Sequence, residues 1–94
     1  MEPDRLRLDH ALRQAQEDMR RTNANRAAVG RAISQLRKTM KRAQADEIAD
    51  PPARAERESD LHEMLHDAAR LDQELKGLRA HVRLLKLKLL LIKL

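Results

Sequence analysis

Asp50-Pro51-Pro52-Ala53 divides the chain. Two adjacent prolines remove two backbone donors, and each drives the residue before it out of the α region, so a continuous helix does not pass this point. Upstream, residues recur at alternating spacings of four and three: Leu8, Leu12, Ala15, Met19, Thr22, Arg26, Val29, Ile33, Leu36, Met40 and Ala43. Downstream the same spacing runs through Leu61, Met64, Ala68, Leu71, Leu75, Leu78, Val82, Leu85, Leu89 and Ile92. Both rows are heptad repeats without a stutter, and Thr22 and Arg26 are their only polar members.

Folding the chain back at the prolines matches one row to the other. Ala43 meets Leu61, Met40 meets Met64, Leu36 meets Ala68, Ile33 meets Leu71 and Val29 meets Leu75. Arg26 with Leu78, Thr22 with Val82, Met19 with Leu85, Ala15 with Leu89 and Leu12 with Ile92 continue the match. Every pair is equidistant from residue 52, whereas registers shifted by a heptad fold near 48 or 56, away from the prolines. Large residues face small ones in several layers, as interdigitation requires. The sequence therefore predicts an all-α, two-helix antiparallel coiled-coil hairpin, a single domain over residues 1–94. Its first helix covers about residues 4–48, its turn 49–53 and its second helix about 53–94, with Pro51 and Pro52 either in the turn or in the first turn of the second helix, each helix on the order of 60 Å long. Leu85-Lys86-Leu87-Lys88-Leu89 alternates like a strand, but it continues the helical register and has no turn residues beside it.

Composition agrees. There is no Phe, Tyr, Trp or Cys, only two glycines, and 37% of residues are charged. Such a chain buries narrow seams between helices rather than a thick core. The lack of cysteine excludes a disulfide framework and thiolate-ligated zinc. The opening MEPDRLRLDH mixes acids with arginines and has no apolar block, so it does not read as a secretory signal. No run approaches the ~20 apolar residues of a membrane span. The expectation is a soluble, intracellular protein.

Charge is segregated. From Arg20 to Arg42 there are eight bases and no acid; from Glu56 to Glu74 there are seven acids against Arg57 and Arg70. The hairpin lays these stretches largely side by side, and at its open end it brings Asp9, Glu17 and Asp18 near Lys93, Lys88 and Lys86. Exposed pairs of this kind contribute ~0.2–1 kcal/mol each, and together they favour the antiparallel arrangement.

Two features ask for more than two helices. The C-terminal stretch carries, besides its seam, a second row of Leu84, Leu87, Leu91 and Leu94, with Leu90 beside it. A lone hairpin leaves these five leucines bare, and an apolar patch of that size marks an interface. Self-association into a four-helix or larger helical bundle is the expected use; a helical protein partner and a membrane surface are the alternatives, the interspersed lysines favouring an interfacial helix over a spanning one. The second feature is a run of small residues, Ala24, Ala27, Ala28, Gly30 and Ala32, around the polar layer of Thr22 and Arg26. Small residues allow close approach, and Gly30 costs roughly 1 kcal/mol of helix propensity. A buried Arg26 would fix register; an Arg26 turned to solvent would do nothing of the kind.

For chemistry, His62-Glu63-Met64-Leu65-His66 resembles the HExxH motif of zinc metalloproteases, in which two histidines one helical turn apart bind zinc and the Glu is the general base. The resemblance covers five residues. It implies outward His62 and His66 with Met64 and Leu65 facing inward. The longer pattern wants Gly where Ala69 stands and a third ligand near Asp72. With those departures a protease is the least favoured reading, a weak surface or inter-subunit zinc site on His62 and His66 comes before it, and two surface histidines is the plainer one. Ser34 and Ser59 lack a His/acid partner, and there is no Gly-rich phosphate loop, so no enzyme, cofactor or catalytic residue is expected. Nonspecific nucleic-acid binding is the main alternative to assembly: Arg20, Arg21, Arg31, Arg37, Lys38, Lys41 and Arg42 offer phosphate contacts, but no aromatic is present for base stacking. In outline, two helices around a Pro-containing turn with an apolar C-terminus resemble secretion-needle subunits and small bacterial coiled-coil scaffolds, a likeness of architecture alone.

Overall fold

The computed structural model describes residues 2–46 and 51–94, with the side chains of 3–43 and 51–94. The order is α1 (Glu2–Asp46) and α2 (Pro51–Lys93), and the chain is an all-α, two-helix antiparallel hairpin with no strand among the described residues. α1 starts before the expected residue 4, because Pro3 sits in its first turn, where a backbone N–H has no helical acceptor. The same physics decides the turn. Of the two places open to Pro51 and Pro52, the turn and the first turn of the second helix, they take the second, and with Ala53 they begin α2, since prolines there sacrifice no intrahelical bond. The remaining turn residues 49–50, with 47–48 at the end of the expected first helix, lie outside the described residues. At the far end, Leu94 N–H donates to Leu91 O at 3.3 Å, a tightened last turn.

The chain divides into two compact units. One joins α1 up to Ala24 with Asp72–Leu94; the other is Asn25–Leu71. In the first, Ala15, Val82 and Leu85 form a buried cluster, and Leu8, Ala11, Leu12 and Met19 pack against it. Leu75 is buried in the same unit, and Leu78 and Leu89 are half-buried. In the second, Ile33, Ala68 and Leu71 are buried, flanked by half-buried Val29, Leu36, Met40, Ala43, Leu61 and Met64. Every buried residue among those described belongs to the heptad rows. None of the large side chains falls below 2% exposure, which is the mark of a narrow seam with no thick core behind it. The pairing itself differs from the expected register: Ala15 clusters with Val82 and Leu85 rather than facing Leu89, and Leu8 and Leu12 pack against that cluster. Ile92 lies across from Asp4, Arg7 and Leu8 rather than Leu12, a shift of about one heptad that leaves Ile92 40% exposed.

The polar layer resolves without a buried charge. Thr22 Oγ1 donates to Asp18 O at 2.8 Å, so its own helix satisfies it. Arg26 is half-buried and bends along α1 over Gly30, its Nη1 lying 3.2 Å from where a Cβ on Gly30 would stand. Ala24, Ala27 and Ala28 are exposed, so they do not serve close approach within the hairpin. The group facing Gly30 is the tip of a flexible side chain, able to give by a few tenths of an ångström. Gly30→Ala is therefore expected to stabilise the fold by roughly 0.5–1 kcal/mol, the helix-propensity difference. Urea denaturation checks it; a loss of stability would mean that the present position of Arg26 matters to the fold.

Candidate functional site

The outer face of α2 in the first unit is the feature with most to explain. Val82, Leu85 and Leu89 point at α1. At ~100° per residue, Leu84, Leu87, Leu91 and Leu94 fall on the opposite side of the same helix. They are 49%, 57%, 68% and 96% exposed, and Leu90 beside them is 59% exposed. The helix is long enough to carry two apolar faces, and one α1 covers only one of them. Over residues 76–94 the cations Lys76, Arg79, Arg83, Lys86, Lys88 and Lys93 are joined by no acid.

A shallow groove of about 360 Å³ opens where the two helices end, lined by Asp4, Arg7 and Leu8 from α1 and Lys88, Leu91 and Ile92 from α2. It borders the leucine face through Leu91. Leu6, 68% exposed, is a further bare apolar side chain that the sequence reading missed, because it lies off both heptad rows.

The basic residues are placed as solvent-facing groups. Arg20, Arg21, Arg31, Arg37, Lys38, Lys41 and Arg42 are all exposed. Arg20 pairs with Glu17 at 3.1 Å and Arg21 with Asp18 at 3.7 Å, each within α1. Asp9 likewise pairs with Arg13 at 3.2 Å, one turn along the same helix. This corrects the expected reach of Asp9, Glu17 and Asp18 across to Lys93, Lys88 and Lys86. A base three or four residues on in the same helix is already a neighbour, whereas a cross-helix partner must be reached around the seam. In α2, Arg54 pairs with Glu58 and Arg70 with Asp67 by the same spacing.

His62 and His66 are exposed, as is Glu63 between them. The motif's inward pair is only half present: Met64 is half-buried in the seam, but Leu65 is 41% exposed, because the seam is too narrow to take two adjacent residues. No group of three or more His, Cys, Asp or Glu able to hold a metal occurs among the described residues. No helix of the described residues is long and apolar enough to cross a membrane.

The arrangement offers a bare apolar strip and exposed cations. No protein-family model, curated protein or solved structure matches the chain, so the function rests on these surfaces alone. The ion-pair geometry makes a direct prediction. A double-mutant cycle on Asp9 and Arg13 should return a coupling of about 0.3–0.5 kcal/mol, and one on Asp9 and Lys93 none that is measurable.

Proposed function

We propose that this is a non-enzymatic coiled-coil structural protein that assembles with further copies of itself through the outer leucine face of α2. The observation that supports this reading most is the exposure of Leu84, Leu87, Leu90, Leu91 and Leu94 on a helix whose opposite face is already buried. Apolar strips of this extent are hidden in the working state of a protein, and burying a leucine contributes ~1.5–3 kcal/mol. A helical bundle of two or more hairpins hides them with the same knobs-into-holes packing that closes the hairpin itself. Sedimentation equilibrium tests it. The chain should run as a dimer or larger oligomer that resists dilution, and Leu87→Lys should reduce it to a monomer with unchanged helical circular dichroism, since Leu87 is exposed within the hairpin. A well-folded wild-type monomer at high concentration would overturn the reading.

A second reading rests on a different observation: Arg31, Arg37, Lys38, Lys41 and Arg42 are exposed and none of them makes an ion pair with a described residue. As phosphate contacts they would give sequence-independent nucleic-acid binding whose log affinity falls with log salt at a slope near −0.9 per contact. Neutralising Arg37, Lys38, Lys41 and Arg42 should flatten that slope by about 3–4; binding that keeps its slope in the variant, or no binding at low salt, removes the reading.

A further inference from the structure

The outer face of α2 is itself a heptad. Gly77, Ala80, Leu84, Leu87, Leu91 and Leu94 recur at spacings of three and four on the side turned away from α1. The two small members stand at one end and the four leucines at the other. A Cβ on Gly77 would meet nothing within 4 Å, so the packing of α1 on α2 gives no reason for a glycine there.

We propose that this row is the seam of a two-fold symmetric, antiparallel interface between the α2 helices of two copies of this chain. Leu84 packs on Leu87 of the second copy, Ala80 on Leu91, and Gly77 on Leu94, with the dyad between residues 85 and 86. The inference rests on the self-assembly reading and gives it a partner face, a direction and a register.

Size selects the antiparallel direction. It sets each small residue against a large one, whereas parallel pairing stacks glycine on glycine and alanine on alanine and leaves a gap at that end. Charge selects the same answer. The positions flanking the row include His81, Arg83, Lys88 and Leu90. Parallel helices bring Arg83 of one copy against Lys88 of the other, twice. The proposed register lays the Arg83 stem over Leu90 and sets Lys88 against an imidazole, that of His81. An antiparallel register one heptad further along, in which leucines meet only leucines, puts Lys88 against Lys88. Area is adequate as well. Gly77 to Leu94 is about 26 Å of helix, and joining two copies along it covers eight leucines, four from each copy and each 49% or more exposed, on the scale of the ~1,000 Å² a specific interface needs. Because this row lies opposite the hairpin seam, the second copy docks on the far side of α2. Through residues 72–94 the four helices then stand in a row, α1 and α2 of one copy followed by α2 and α1 of the other, instead of at the corners of a square.

The chain has no cysteine, so single-cysteine variants report position cleanly. Ala80→Cys mixed with Leu91→Cys under mild oxidation should give the mixed disulfide as the main product, since the two Cα atoms fall within bridging distance of ~6 Å. Ala80→Cys alone should give little, its two copies being about 16 Å apart. Arg83→Cys mixed with Leu90→Cys repeats the test on the flank, without removing a leucine of the row. Homodisulfides from Ala80→Cys alone, or a mixed product that forms best between Leu87→Cys and Leu91→Cys, would overturn the inference. If sedimentation still shows a dimer in that case, self-assembly stands and only its direction or register falls. A monomer by sedimentation overturns both, and a monomer that binds vesicles containing anionic lipid would assign the leucine face to a membrane surface.

Discussion

Burial of one narrow apolar seam is what the whole structure depends on. With no aromatic side chain, the chain has no bulky residue to anchor a core, and the buried residues among those described are alanine, isoleucine, leucine and valine only. Such residues contribute little singly and must act in register. Heptad spacing gives each helix one partner position per layer, and Ile33, Ala68 and Leu71 in one unit and Ala15, Val82 and Leu85 in the other are the result; the adjacent prolines do not centre that register, since both lie inside α2. The seam tolerates its polar members because neither is buried: Thr22 is satisfied by its own helix and Arg26 lies along it, over a glycine. Among the described residues no buried side-chain nitrogen or oxygen lacks a partner, so the seam carries no desolvation penalty of that kind.

The same constraint explains why a surface is left over. One α1 covers one stripe of α2, and toward its C-terminus α2 is apolar on two stripes. The first stripe makes the hairpin; the second meets nothing among the described residues that covers it. Propensity does not call for the second stripe, since Lys, Glu or Gln at these positions would favour a helix equally well. Catalysis by the His62/Glu63/His66 group would need a shaped, water-excluding site, and these three side chains stand on an outward face of a single helix.

The two helices and their buried rows were legible in the sequence, because heptad spacing is a one-dimensional signal; the pairing between them was not, because the expected fold point at residue 52 lies inside α2 and a heptad row looks the same after a shift of seven. Leu71, Leu75, Val82 and Leu85 are buried where the spacing puts them, and Leu84, Leu87, Leu90, Leu91 and Leu94 are bare where it leaves them. What escaped is decided by side-chain reach and by helix ends. Asp9 takes Arg13 rather than Lys93 because the nearer base lies on the same helix. Ile92 stays open because the facing part of α1 supplies Asp4, Arg7 and Leu8, of which only one is apolar. Leu65 and Leu6 are exposed because a two-helix seam has no second row to receive them. The neighbour of Gly30 could not be read from propensity at all: it is the flexible tip of Arg26, which can give way to a Cβ.

The central claim is that the seam closes within one chain, since only then is the outer face of α2 free for assembly. The most direct measurement is an electron spin–spin distance between labels on Gln14 and Lys88 of the same chain, with labelled protein diluted into a large excess of unlabelled protein. Packed helix axes lie 8–10 Å apart. The account predicts a single short distance that survives dilution. Loss of that distance on dilution would place the partner helix in another chain, and the hairpin would give way to an exchanged or extended dimer.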